Sequence, residues 1–164
     1  MDEAGSDAAV SVGDSPCSAR SSISSPSSEE LAAATAVLEE IHRSGCNGGA
    51  CHAQMYTMGT VLRHGSEAQK QRYLPKIASG ELRLQAFGVT EPTSGTDTTR
   101  IQTFAKRQGD KYILNGTKMW ITNGSHSDFF WVYAKTGPSK KDVSTFIVEK
   151  SFKGFSVGKK LDKL

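Results

Sequence analysis

The sequence has no run of about eighteen consecutive apolar residues, the length that a membrane-spanning helix needs. Its first ten residues, MDEAGSDAAV, are acidic, and they contain neither the apolar core of a secretion signal nor the Arg-rich pattern of a mitochondrial leader. Cysteine is scarce, with three in 164 residues, as is usual in a reducing compartment. We therefore expect a soluble intracellular protein that is cytoplasmic rather than mitochondrial.

Long clusters of Lys and Arg interleaved with aromatic side chains are also missing, which argues against nucleic acid as the partner. The charge is nonetheless distributed unevenly. Residues 1–41 carry eight Asp or Glu and one Arg, whereas residues 42–164 carry nine acids and 19 Lys or Arg. The basic part of the chain therefore favours an anionic partner, and the phosphates of a cofactor or of a membrane are candidates ahead of nucleic acid.

An apolar period is missing from residues 1–28, ten of which are Ser. A segment of this composition buries too little apolar surface to offset the entropy that is lost when a chain becomes ordered. We therefore expect residues 1–28 to be a disordered leader.

Residues 29–80 show helical spacing of apolar side chains in three successive stretches. These stretches are SEELAAATAVLEEIHRSG, CHAQMYTMGTVLRHG and SEAQKQRYLPKIASG, and each of them ends at a Gly. Ser66, followed three residues later by Gln69, indicates a capping box at the start of the third stretch. The pattern predicts a segment of three helices.

Between residues 81 and 164 the apolar period falls to two, in short runs rich in β-branched and aromatic side chains. Gly109-Asp110 indicates one turn, and Asn115-Gly116 is typical of a tight hairpin. The run KMWIT, which follows the second turn, is expected to be a strand. Helices followed by strands predict an α+β fold with an antiparallel β region.

The loop VTEPTSGTD, residues 89–97, has neither the Lys-Ser/Thr ending of a Walker loop nor the helical continuation of a dinucleotide-binding fingerprint. It does carry hydroxyls on Thr90, Thr93, Ser94 and Thr96, and Gly95 allows backbone N–H groups to turn toward an anion. A phosphate would fit there. The alternative is a Ser/Thr-rich turn that satisfies its own backbone.

Strand alternation in KMWIT would place Trp120 and Thr122 on one face. An indole can lie against a flat heteroaromatic ring, and a neighbouring hydroxyl can donate to a ring nitrogen. The alternative is that Trp120 fills the core.

Two other groups of residues invite a functional interpretation. His42, Cys46, Cys51 and His52 could form a zinc site, but their spacing fits no common zinc module, and a helix-end His beside a turn is favoured. Glu91 could be a general base, but a loop carboxylate of this kind is expected to be structural and to accept backbone N–H bonds in the turn.

The segment AFGVTEPTSGTD, followed shortly by YILNGTKMWITNG, resembles the central β-domain signature of the flavin-dependent acyl-CoA dehydrogenase family. GSEAQKQRYLPKIASGELRLQAFGVTEP resembles the helix that precedes it, and the resemblance runs from about Gly49 to Leu164. It implies an oxidoreductase acting on a CH–CH group, which desaturates the α,β bond of an acyl-CoA thioester with FAD as cofactor.

The resemblance also implies roles for particular residues. It assigns binding of FAD to Phe87, Gly88, Val89, Thr90, Gly95, Thr96, Trp120, Ile121 and Thr122. Thr96 would also lie near the acyl-CoA, and the step from Trp120 to Thr122 would pack along the isoalloxazine. Thr93 and Thr96 stand where the family commonly shows Gly and Ser, so the hydroxyl of Thr96 is kept while Thr93 stiffens the turn. No metal is implied.

Members of the family run to well over twice this length, and their catalytic carboxylate comes from a later helical bundle. The resemblance therefore implies a fragment with no catalytic base, comprising the end of the N-terminal helical region at 29–80 and an incomplete antiparallel β-barrel-like domain at 81–164. It also implies electron-transfer flavoprotein or oxygen as acceptor and a homo-oligomer at full length. Two alternatives remain open: a non-catalytic flavin- or CoA-binding or subunit-interaction module, and a chain without function.

Overall fold

The computed structural model of the chain describes residues 8–10, 27–82, 85–158 and 160. These residues fall into two compact units, a helical one within Ser18–Leu82 and a β unit formed by the rest. The expected disordered leader lies outside the described residues except at 8–10, which form a short strand.

The helical unit consists of α1 (Ser28–Arg43), α2 (Gly49–His64) and α3 (Glu67–Ala78). The predicted capping box is confirmed, because the Ser66 hydroxyl accepts from the N–H of Gln69 at 3.2 Å and the Gln69 side chain accepts from the N–H of Ser66 at 2.9 Å. The helices α2 and α3 pack against each other. All three helices therefore lie where apolar spacing and capping residues predict them.

Among the described residues, the β unit contains six strands and one short 3-10 helix. The strands are β1 (Ala8–Val10), β2 (Gln85–Gly88), β3 (Phe104–Gln108), β4 (Lys111–Asn115), β5 (Phe129–Lys135) and β6 (Val143–Glu149), and the 3-10 helix spans Thr98–Arg100.

The strand β5 organises the sheet. It pairs antiparallel with β6 along its whole length, parallel with β2, and parallel with β3 at Lys135. Because a strand has only two edges, β2 and β3 must share the edge of β5 that faces away from β6. The strand β4 pairs antiparallel with β3, and β1 pairs antiparallel with β4.

The expected α+β fold is confirmed, with one correction to the pairing. The sheet is mixed, since β2 and β3 run parallel to β5. Its described strands do not close into a barrel, because β1 pairs only with β4. Long connections join these pairs, among them residues 89–128 between β2 and β5, and parallel neighbours need such connections. Period-two patterning does not distinguish the two directions.

One face of the sheet carries a cluster of buried apolar side chains. Its buried members are Ala86, Ala105, Leu114, Phe130, Ala134, Phe146 and Val148. Ile121 packs against this cluster from the segment that follows β4, and the rings of Tyr112 and Phe146 lie 5.1 Å apart. Apolar side chains from five strands and from the connection after β4 are thus fixed in one layer.

The two predicted turns have different outcomes. Gly109, at φ +61°, lies in the two-residue turn between β3 and β4, so this prediction is confirmed. The prediction of a hairpin at Asn115-Gly116 is wrong, because residues 117–122 form no strand. Trp120 has φ +62°, a left-handed conformation that breaks the alternation expected for KMWIT. Residues 155–158, which lie in the region of period-two patterning, form no strand either.

Gly116 supplies the first test of the fold. A methyl group on its Cα would lie 2.3 Å from the Thr103 hydroxyl oxygen and 2.7 Å from the Thr103 Cα. Because one of these atoms is backbone, we expect Gly116→Ala to lower the free energy of unfolding by about 1–3 kcal/mol, measured by urea titration. In the control Gly95→Ala, the added methyl group meets nothing within 4 Å, and the change should stay within about 0.5 kcal/mol. Equal midpoints for both variants would contradict the close approach.

Candidate functional site

Two segments singled out in the sequence lie side by side in the β unit. We call residues 89–97 the first motif and residues 118–124 the second motif. The N–H of Met119 donates to the carbonyl of Thr90 at 2.9 Å, and the Lys118 ammonium donates to the carbonyl of Val89 at 3.0 Å. The same ammonium donates to Glu91 Oε1 at 2.8 Å. Residues far apart in sequence therefore form one site.

The end of β2 is shaped for this contact. Gly88 is buried, and a Cβ built on it would lie 3.2 Å from the Lys118 Cγ and 3.5 Å from the Trp131 carbonyl oxygen. A larger residue at 88 would press on the stem of Lys118. The glycine thus allows the Lys118 side chain to reach across β2 to the first motif.

The first motif is a turn that closes on itself. Glu91 and Ser94 exchange both backbone hydrogen bonds, at 2.8 and 3.2 Å, and the Ser94 hydroxyl donates to the Asp97 carbonyl at 2.7 Å. For Ser94, the alternative interpretation is therefore correct, because its polar groups are hydrogen-bonded within the turn. Gly95 and Thr96, however, are exposed, and the space above the Cα of Gly95 is open. This part of the turn remains accessible to a ligand.

The carboxylate of Glu91 lies at the centre of the site and is 5% exposed. Its oxygens accept from the backbone N–H groups of Gln102 at 2.5 Å and Thr103 at 3.0 Å, as well as from Lys118. Burial alone would raise the pKa of Glu91, but these donors together hold it below its ordinary value of 4.5. The structural role predicted for Glu91 is confirmed, with donors from Gln102 and Thr103, just before β3, rather than from its own turn.

Burial disfavours the charged form of Lys118, and the interaction with Glu91 compensates for this only in part. The side chain is 11% exposed, and burial lowers the pKa of Lys118 while the hydrogen bond and charge of Glu91 act against that shift. Sequence reasoning missed Lys118. The signal that could have found it is the single Lys of the second motif, which is opposite in charge to the two acidic residues of the first motif.

The second motif is a strained turn. Trp120 and Asn123 both have φ +62°, and a bulky aromatic residue is rarely found in this conformation. The carbonyl of Asn123 accepts from the N–H groups of His126 and Ser127, both at 2.9 Å, and Gly124 donates to the carbonyl of Ile121 at 3.0 Å. Ile121 packs against the core, whereas Trp120 is 63% exposed. The alternative in which Trp120 fills the core is therefore wrong.

The remaining residues expected to bind cofactor are distributed along β2 and the two motifs. Phe87 is half-buried in β2, with its ring 5.4 Å from that of Tyr133. Val89 and Thr90 are half-buried and face the second motif through their carbonyls. Thr122 is exposed, as are Gly95 and Thr96. The exposed members are thus two hydroxyls, a glycine backbone and an indole.

Of the residues considered for a zinc site, His42 lies over the turn between α1 and α2. A Cβ on Gly48 would lie 2.9 Å from Nε2 of His42, so this imidazole covers the turn between α1 and α2. No group of three or more possible metal ligands occurs among the described residues. None of the helices described here is long and apolar enough to cross a membrane.

Comparison with protein families identifies both units. Residues 27–81 match the model described as acyl-CoA dehydrogenase, N-terminal domain, and residues 86–164 match the one described as acyl-CoA dehydrogenase, middle domain. The first match covers the helices and the second covers the strands from β2 onward together with both motifs. The chain belongs to the acyl-CoA dehydrogenase family.

Individual relatives agree with this assignment. The mitochondrial isovaleryl-CoA dehydrogenase of Pongo abelii is 45% identical over 136 residues, which are 78% of this chain and 31% of that protein. A probable acyl CoA dehydrogenase from Mycobacterium abscessus superposes with a TM-score of 0.70 at 35% identity, over 77% of this chain and 35% of that one. A glutaryl-CoA dehydrogenase from Mycobacterium smegmatis, in complex with FADH2, superposes with a TM-score of 0.60 at 40% identity, over 66% of this chain and 27% of that one. The chain thus spans about a third of the length of these relatives.

The lowered pKa of Glu91 predicts how stability depends on pH. Because the native carboxylate binds a proton more weakly than the unfolded one, its stabilisation is present above about pH 4.5 and is lost as the pH falls through the lower native value. Glu91→Gln should therefore lower the free energy of unfolding by about 1.5–3 kcal/mol at pH 7. That deficit should shrink as the pH approaches 3.

Urea titrations of the parent and of Glu91→Gln between pH 3 and 7 measure this deficit. A deficit that stays constant across the range would mean that ionised Glu91 is not specifically stabilised in the folded state.

Proposed function

We propose that this chain is the FAD-binding portion of an acyl-CoA dehydrogenase, an oxidoreductase that acts on the CH–CH group of an acyl-CoA thioester. The observation that carries the proposal is the hydrogen-bonded union of the two motifs, with an exposed indole on one and an open glycine turn on the other. When bound, FAD supplies the two-electron acceptor for α,β-desaturation.

The residues present fit this cofactor. The open backbone at Gly95 and the hydroxyl of Thr96 suit the pyrophosphate, since small residues let N–H groups and hydroxyls approach an anion. The indole of Trp120 suits the face of the flat isoalloxazine ring, and we propose that the Thr122 hydroxyl lies at the edge of that ring. Phe87, Gly88, Val89, Thr90 and Ile121 complete the proposed site. The excess of basic residues in 42–164 favours the same anionic ligand.

The acyl-CoA is the proposed substrate, with Thr96 beside it, and the family assignment supports this class. An electron-transfer flavoprotein or oxygen is the proposed acceptor, and the whole protein is proposed to be a homo-oligomer. A general base must reach the substrate proton with a free acceptor. Glu91 does not meet this requirement, since it is 5% exposed and both of its carboxylate oxygens are held by donors inside the β unit.

The engagement of Glu91 also favours a second candidate function. In it, the chain binds flavin or CoA, or another subunit, as a module that performs no turnover by itself. The two candidates share the same cofactor site, so a test of flavin binding applies to both.

The exposed indole provides that test. If Trp120 borders the isoalloxazine, FAD should quench its fluorescence, and Trp120→Ala should weaken binding by about 1–3 kcal/mol, the range found for aromatic stacking on nucleobases. Quenching of Trp120 measures the first effect in the parent, and the fluorescence of FAD itself, titrated with protein, measures affinity in the parent and in the variant that lacks this indole. Trp131 is 4% exposed and serves as the internal control for folding.

A second variant separates binding from backbone strain. Asn adopts the left-handed conformation more readily than most residues, so Trp120→Asn should lose affinity to the same extent as Trp120→Ala while keeping the turn. Unchanged affinity for FAD in both variants would remove Trp120 from the proposed site.

A further inference from the structure

The contacts of Lys118 connect the second motif, which carries Trp120, to the first motif and through it to the sheet. All its side-chain hydrogen bonds reach the first motif, at the Val89 carbonyl and at Glu91, and the side chains of Lys118 and Glu91 are 11% and 3% exposed. The next residue, Met119, donates its N–H to Thr90. Two successive residues are therefore fixed immediately before Trp120.

Glu91 is fixed in turn by the sheet. One of its oxygens accepts from the N–H of Gln102 and the other from the N–H of Thr103, so the carboxylate is held at both oxygens. The carbonyl of Thr103 accepts from the N–H of Lys135 at the end of β5. An unbroken series of hydrogen bonds thus runs from β5 through Thr103 and Glu91 to Lys118.

The turn at Trp120 needs such support. A left-handed aromatic residue persists only where its surroundings over-determine the backbone. On the far side, the packing of Ile121 and the hydrogen bond from Gly124 hold the chain. On the near side, the Lys118 contacts and the hydrogen bond from Met119 to Thr90 hold the chain, and loss of the first would weaken this support.

We propose that the Glu91–Lys118 pair is a positioning device for Trp120, and that it controls affinity for FAD without touching the flavin. The effect on affinity rests on the proposed function. The effect on the position of Trp120 does not, and it is measured in the chain without ligand.

The chain contains two Trp, so labelling with 5-fluorotryptophan gives two fluorine resonances, which Trp120→Phe assigns. In Lys118→Met, we expect the Trp120 resonance to shift and narrow toward that of a mobile indole, while the Trp131 resonance keeps its position. The matched control is Lys111→Met, because Lys111 is exposed at the start of β4. This control should leave both resonances unchanged.

A double variant separates positioning from stability. Lys118→Met alone leaves Glu91 as a buried charge without its cation, which is strongly destabilising, whereas removing both charges is far less so. Glu91→Gln/Lys118→Met should therefore regain much of the lost stability toward urea and still show the displaced Trp120 resonance. If recovery of stability also restores the parent resonance, the pair is structural only and the proposal is overturned.

The same variants are titrated with FAD. Loss of the groups that orient metal ligands lowers affinity roughly 10- to 100-fold, and by analogy we expect the Kd for FAD to rise at least about tenfold in both Lys118→Met and the double variant. Equal Kd values in parent and double variant would overturn the proposal. If the parent binds no FAD, the proposed function fails, and the fluorine spectra alone decide whether the pair positions Trp120.

Discussion

A buried ion pair between Glu91 and Lys118 is the interaction on which the site depends. Two charges removed from water are costly, and the attraction between them compensates only when the remaining hydrogen-bonding capacity is used. Here the carboxylate also accepts hydrogen bonds from two backbone N–H groups just before β3, and the ammonium also donates to the Val89 carbonyl. The main effect of the pair is therefore on geometry rather than on stability. It ties the loop after β2 to the turn after β4.

This geometry explains an indole that breaks two usual preferences. Trp120 adopts a backbone conformation that bulky residues avoid, and 63% of it faces solvent. Ile121, its neighbour, packs into the core and balances part of that cost. Strain and exposure of this kind are concentrated at functional sites, where a side chain is held ready for a ligand. Membership of the acyl-CoA dehydrogenase family gives the ligand we propose, a flat ring joined to phosphates.

Local features of the fold could be predicted from the sequence, because they depend on neighbouring residues. The capping box at Ser66 and the turn at Gly109 are examples. The strand expected at KMWIT was wrong, since alternation of side chains cannot reveal one left-handed residue that tertiary contacts impose. The parallel pairing of β2 with β5 and the partnership of Lys118 with Glu91 were missed for the same reason. Each joins residues separated by long stretches of chain, and spacing carries no signal of that kind.

Amide hydrogen exchange in the presence and absence of FAD decides whether the two motifs form the single flavin site that we propose. We expect slower exchange in residues 89–97 and in residues 118–124, with the same dependence on FAD concentration. Exchange in the helices of 28–78 would serve as the internal reference. Slower exchange in only one of the two motifs, or in neither while FAD is bound, would contradict a shared site.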